Sequence, residues 1–391
     1  MTRCDLALMV AAFAAMMPFS PLLPALRQGP LWLRRALRKR QLRLLLLALS
    51  AHLLATSRNP YTLGRHRFHI TDIVNDADAF HHFRFGIAGL GELVARSRLP
   101  AFFNTRSGYP TDAEEAMLIV LNRLAYPSRQ PDLNNGRFNR WPSEISEIWL
   151  RTCTLLQEQW ADLITCFRDY FQRNGLARVC GEAMARSSGY PAAKIAFFID
   201  GTDIYITRPG GPNVNQRAFY DGHHRAHAIK FLLLKSPCGL IICILGPFQG
   251  TMTDATAYNT LQIADMCRAL FQVENAGRAT GNVLLGLGDS AFPASDILLT
   301  RFADSPLLTP DQRVFNRVMA SLRITIENSI GYAKSLMAKV QFFATLQVGQ
   351  GQIGVESQVA FWICNCRVCL YGSQASQRFG IPPPTLAQYL Q

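Results

Sequence analysis

The sequence predicts an α/β protein in which a mixed sheet, flanked by helices, follows a mainly helical region. Three stretches carry that expectation. Ala196 to Thr202, Ala-Phe-Phe-Ile-Asp-Gly-Thr, is a short apolar run with a carboxylate at its end, the pattern of a strand buried along its length. Gly201 lets the chain turn directly after Asp200. Asn282 to Asp289, Asn-Val-Leu-Leu-Gly-Leu-Gly-Asp, repeats that design. Thr309-Pro310-Asp311-Gln312 reads as an N-cap, a proline at the first helical position and a capping-box glutamine. The helix it opens carries Val314, Val318, Leu322, Ile326, Ile330 and Met337 on one side at helical spacing.

With 49% hydrophobic and 17% charged residues, the 391-residue chain is globular in composition rather than disordered. Its net charge of +13 suggests a polyanionic partner, but the charge is unevenly placed. Residues 1 to 58 hold nine Lys/Arg and one acid, so +8 belongs to them and +5 to everything after. Residues 1 to 60 therefore read as a basic, apolar leader without a fold of its own. Leu6 to Met17, behind Arg3, imitates the apolar core of a secretory signal, and Pro18, Pro21 and Pro24 break it. Leu44 to Ala55 is about 12 residues against the roughly 20 needed to span a bilayer, so no stable membrane association is expected. Arg34 to Arg40, Arg-Arg-Ala-Leu-Arg-Lys-Arg, suits nuclear import or nucleic-acid contact as well as it suits a cationic amphipathic helix.

Residues 61 to 190 form the helical region. Residues 59 to 108 show no clear periodicity and suggest no chemistry. Thr111-Asp112-Ala113-Glu114 is a capping box opening a helix through Met117, Leu118, Val120, Leu121 and Leu124 to Tyr126, where Pro127 ends it. After a loop with Asp132, Asn134, Asn135 and Gly136, Ser143 caps a second helix from Glu144 to about Cys166. Its buried positions are Ile145, Ile148, Trp149, Leu155, Leu156 and Trp160, and Arg137 and Arg140 ahead of it are available for phosphate contacts.

Residues 191 to 372 hold the sheet, and 373 to 391 a C-terminal tail. His227 to Leu234 and Leu240 to Leu245, joined by Ser236-Pro237-Cys238-Gly239, give a hairpin. A helix from about Asp254 to Phe271 leads to the strand ending at Asp289. His223, His224, Arg225 and His227 read as a solvated basic edge, because no carboxylate or cysteine accompanies them at ligand spacing. Cys364, Cys366 and Cys369 resemble half a zinc site. No second close pair follows, and Val359 to Tyr371 is apolar at helical spacing, which favours buried helix cysteines.

A lone strand-end aspartate such as Asp200 most often tightens a turn. Two further acids change that reading. At about 100° per residue, Asn316, Arg323, Glu327 and Lys334 share a stripe beside the buried face of the Thr309 helix, with Gly331 next to them. Two strand-end aspartates and a helical glutamate are what a two-metal phosphodiester site requires. Hard divalent cations take oxygen ligands, and a pair about 3.5–4 Å apart stabilises both the attacking and the leaving oxygen. Arg323 and Lys334 then flank the acid where a polyanion would lie.

The order Asp, Asp, Glu resembles the DDE transposases of the RNase H-like superfamily, and more narrowly the PIF/Harbinger type. The matching blocks are Phe-Ile-Asp-Gly-Thr (198–202), Phe-Tyr-Asp-Gly-His-His-Arg-Ala-His-Ala-Ile-Lys-Phe (219–231), Gly-Pro-Phe-Gln-Gly-Thr-Met-Thr-Asp-Ala (246–255), Gly-Asp-Ser-Ala-Phe-Pro (288–293) and Arg-Ile-Thr-Ile-Glu-Asn-Ser-Ile-Gly-Tyr-Ala-Lys (323–334). The resemblance covers about residues 105 to 372. The resemblance implies an RNase H-like sheet preceded by a helix-turn-helix-like segment or a simple helical cap. It makes Asp200, Asp289 and Glu327 the catalytic triad and the ligands of two Mg²⁺ or Mn²⁺ ions, with Asp254 a fourth carboxylate at the site. Arg323, Lys334, Arg225 and Lys230 become the contacts to DNA. Ala291-Phe292 stands where the family has tyrosine, and Ile330 where it has phenylalanine; neither removes a ligand. The implied function is a metal-dependent DNA endonuclease or transposase acting in the nucleus, with reduced thiols and a separate Myb-like protein that reads the target. The alternative is a domesticated, catalytically idle nuclear partner of such a protein. A secreted hydrolase, cleaved near residue 25, rests on the leader alone.

Overall fold

The computed structural model describes residues 67–127, 137–165, 175–190, 194–210, 214–277, 283–349 and 351–391, all within one compact unit, His66–Gln391. The leader with Arg34 to Arg40, the loop from Asp132 to Gly136, and Asn282 lie outside the described residues.

The stretch that shows no periodicity in sequence folds as two short helices, α1 (Asp76–Phe83) and α2 (Ile87–Arg96). Asn75 caps the first by accepting the Asp78 N–H at 2.9 Å. Phe83, Phe85, Leu90 and Leu93 are fully buried. After a ribbon of β1 (Phe102–Asn104) and β2 (Pro110–Asp112) comes α3 (Ala113–Ala125). Its cap is shifted by one residue from the sequence reading. Asp112 accepts the Glu115 N–H at 2.8 Å, while Glu114 turns away to accept the Ile70 N–H. The next helix, α4 (Pro142–Gln159), likewise starts before Ser143, with Trp141 at the N-cap donating its N–H to Glu144 at 3.3 Å.

The expected run to Cys166 breaks at Trp160, after which α5 (Ala161–Thr165) follows. Tertiary partners set the break, because the Trp160 indole donates to the Ser97 carbonyl at 2.9 Å and stacks on Trp362. Neither arginine proposed for phosphate contact is available as it stands. Arg140 is buried in a two-pronged pair with Glu115, at 3.0 and 2.5 Å, and donates to the Pro110 carbonyl. Arg137 pairs with Asp78 and lies over the Phe68 and Phe83 rings.

From α6 (Leu176–Ser188) the chain enters a six-stranded mixed sheet, beginning with β3 (Lys194–Tyr205), β4 (Tyr220–Asp221), β5 (Ala226–Lys235) and β6 (Ile241–Gln249). Two helices, α7 (Asp254–Thr260) and α8 (Ile263–Asn275), replace the single one expected, the break falling at Gln262 with φ 51°. Then come β7 (Leu284–Leu287), β8 (Leu298–Leu299), α9 (Pro310–Leu336), α10 (Ile353–Tyr371), α11 (Gln374–Phe379) and α12 (Leu386–Tyr389). The strand order is β6-β5-β3-β7-β8, antiparallel through the β5 pairings and parallel from β3 to β8, with β4 a short addition to β5. This is an RNase H-like sheet flanked by helices.

The centre of the sheet is β3, with α6 packed along it. Ile195 to Ile199 are all buried. Gly286 on β7 is required there, since a side chain would run into the Phe197 ring. The edge strand β6 is closed by α10, whose Asn365 accepts the Ile241 N–H at 2.8 Å and donates to the Ile241 carbonyl. Cys364 and Cys366 are buried on α10, as the helical spacing predicts. No helix among the described residues is long and apolar enough to cross a membrane.

Removing Arg140 strands the fully buried Glu115 carboxylate. Arg140→Met should cost about 3–5 kcal/mol in urea denaturation, and adding Glu115→Leu should recover most of it. An unchanged midpoint for Arg140→Met would show that the pair carries no structural weight.

Candidate active site

Asp200 is not at the end of its strand. β3 continues to Tyr205, pairing Asp200 with Leu233 and Gly201 with Leu232. Gly201 is therefore no turn. Its role is steric, since a Cβ there would fall on the Asp254 carboxylate. Asp254, in the first turn of α7 behind the cap of Thr253, is thus laid against the strand next to Asp200.

Asp289 sits two residues past the end of β7, in line with the sequence pattern. Its carboxylate accepts the Ala291 N–H at 2.7 Å, fixing the loop. The following Phe292, which departs from the resembled family's tyrosine, is buried edge-on against Tyr258. Since β3 and β7 are parallel and Leu287 pairs with Phe198, Asp289 follows the end of β7 in step with Asp200, which is still within β3.

Glu327 comes from α9, whose N-terminus matches the sequence reading. Thr309 accepts the Gln312 N–H at 3.2 Å, and the Gln312 side chain accepts the Thr309 N–H at 3.0 Å. The buried face differs in part: Leu322, Ile330 and Met337 are buried with Met319 and Ala333, whereas Val314 is 46% exposed. Asn316 does not reach the acids, because its amide pairs with the backbone of Phe302.

Arg323 and Lys334 lie on either side of Glu327 and both reach β3. One guanidinium nitrogen of Arg323 touches Glu327 Oε1 at 2.7 Å and Asp200 Oδ1 at 3.5 Å. Lys334 Nζ donates to the Asp203 carbonyl at 2.8 Å, and burial holds its ammonium below the usual range.

The acids act on one another. Burial, more than anything else, lifts the Asp200 carboxyl from 3.8 to about 6; Arg323 opposes the rise, and Glu327, Asp289 and Asp254 add to it. Asp254 is raised for the same reason, with Lys230 opposing and Asp203, Asp289 and Asp221 adding. A third cation missed in the sequence is Lys235, 1% exposed on β5, where burial pushes it down to about 7 against the pull of Asp200. Carboxylate oxygens are the donors a hard divalent cation takes, and the side-chain-free cradle at Gly201 keeps Asp254 among them. Oxygen donors of this kind suit Mg²⁺ or Mn²⁺.

Among the described residues, a close grouping of potential ligands lies beside this set. Asp203, Asp221 and His224 bring their ligand atoms within 4.8 Å of one another, whereas Asp200, Asp289 and Glu327 form no such grouping. The basic edge is thus not free of acids. Asp221, three residues before His224, meets its Nδ1 at 2.8 Å, and Asp203 approaches from β3 at 3.6 Å. Lys230 neutralises the pair, at 3.8 Å from Asp203 and 3.4 Å from Asp221. Against its burial, the His224 ring, the His223 backbone N–H and the charge of Lys230 hold the Asp221 carboxyl down to about 2. Arg225 lies exposed in the turn before β5, at φ 53°.

Residues 199–343 match the family model of DDE superfamily endonucleases. The match takes in Asp200, Asp254, Asp289 and Glu327, and it ends before α10. No curated protein and no solved structure matches the chain.

A carboxylate that holds its proton more tightly when folded than when unfolded lowers stability above its folded value and recovers it as pH falls through that value. With metal removed by a chelator, Asp200→Asn should therefore stabilise the protein at pH 7.5, by roughly 3 kcal/mol at most. The gain should shrink from pH 6 toward pH 4. Urea curves for the two proteins that coincide at pH 7.5 would contradict this.

Proposed function

We propose that the chain is a metal-dependent DNA endonuclease or transposase of the Harbinger type. The observation that supports this reading best is that Glu327, Asp289 and Asp254, drawn from α9, the β7 loop and α7, all bear on the buried carboxyl of Asp200 on β3 within a stretch similar to DDE endonucleases. Asp200, Asp289 and Glu327 would hold two Mg²⁺ or Mn²⁺ ions, with Asp254 against Gly201 as a fourth oxygen donor. Bound there, the ions supply charge stabilisation for an in-line attack on a phosphodiester by water or a DNA 3′-hydroxyl.

The protein's own contribution is positioning. β3 fixes Asp200 beside β5, two residues past its last pair with β7, and Lys334 anchors α9 on β3. Arg225 lies exposed at one edge, where it and, once freed from its acids, Lys230 would meet phosphates. Such contacts position DNA without reading its sequence. A separate Myb-like protein would then supply target recognition, and the site of action would be the nucleus.

Asp200→Asn, Asp289→Asn and Glu327→Gln should each abolish Mg²⁺- or Mn²⁺-dependent nicking of supercoiled DNA while leaving DNA binding intact. Equal nicking by wild type and Asp289→Asn would remove the acids from the mechanism. Binding by the chain alone should weaken steeply with salt and vary little with sequence. A tight, sequence-selective site found without a partner would count against the Myb-like protein.

A further inference from the structure

Arg323 occupies a position that its neighbours in sequence do not explain. A pair with Glu327 one turn later would be an ordinary helix-surface contact worth a few tenths of a kcal/mol. The same nitrogen, however, also reaches Asp200 on a different element, and the side chain is only 12% exposed. A cation touching both carboxylates occupies oxygens that a metal held by Asp200 and Glu327 would draw on. The burial and mutual repulsion that raise Asp200 are offset chiefly by this guanidinium.

We infer that Arg323 is the built-in counter-ion of the metal locus. It holds Asp200 and Glu327 together while no metal is bound, and it must leave them before a divalent cation bridges both. The guanidinium lies on Asp200 Oδ1 and Glu327 Oε1, occupies the lone pairs that face it and repels a divalent cation, so the two compete for those oxygens. The exchange then sets the metal concentration at which the site fills. This inference rests on the metal-site reading above.

The test is calorimetric titration of Mn²⁺ into the full chain, with melting curves of the metal-free proteins alongside. Arg323→Gln should bind Mn²⁺ about tenfold more tightly, because a charge-assisted contact no longer has to be broken. Its metal-free melting temperature should fall. A purely structural arginine predicts the same fall in melting temperature with Mn²⁺ affinity unchanged or weakened, and that result would overturn the inference. Should Arg323→Gln fail to fold, Arg323→Lys gives the same comparison, since a single ammonium holds the two carboxylates less well. Tighter Mn²⁺ binding by that variant supports the inference and unchanged binding refutes it. Asp200→Asn serves as the control that should lose Mn²⁺. If neither wild type nor Arg323→Gln takes up the ion, the metal-site reading itself fails, an outcome distinct from wild-type binding that Arg323→Gln leaves unaltered.

Discussion

Everything at the site depends on keeping like charges together where water is scarce. Four carboxylates gather near a central strand that is buried from Ile195 to Ile199, and burial already opposes the ionisation of Asp200 and Asp254. The fold meets that cost with cations fixed by other elements. Arg323 sits on Asp200 and Glu327, Lys230 on Asp203 and Asp221, and Lys235 lies buried within reach of the Asp200 field. Arg323 and Lys334, three turns apart on α9, grip β3 at two points and leave Glu327 between them. The register of helix on strand is therefore set by the same charges that make the site costly.

Much of this was legible in the sequence wherever the signal is local. Thr309 to Gln312 start α9 where the capping box places it, and Asp289 follows a strand as its apolar run predicts. The hairpin of β5 and β6 and the buried cysteines of α10 also follow from spacing. What could not be read depends on partners distant in the chain. β3 runs past Asp200 because β5 continues alongside it, so the glycine that suggests a turn instead makes room for Asp254. Arg140 resembles a phosphate contact until Glu115, 25 residues earlier, is seen to enclose it. His224 has one companion that is local, Asp221 three residues before it, which the sequence reading passed over, and one that is not, Asp203 from another strand. Residues 67 to 108 gave no pattern because Phe83 and Phe85 are held by tertiary packing rather than by a regular apolar face.

The way α10 is held has a consequence for heredity. Its Asn365 seals the edge of β6, its Glu356 accepts the Trp149 indole from α4, and its Trp362 stacks on Trp160. The stretch that carries the acids is thus enclosed by segments on both sides of it in the chain. A gene fusion or exon exchange that moved residues 199–343 alone would expose the edge of β6 and strand apolar surface on every helix left behind. Descent can therefore alter the acids one at a time, but it can transplant them only together with the whole wrap of helices.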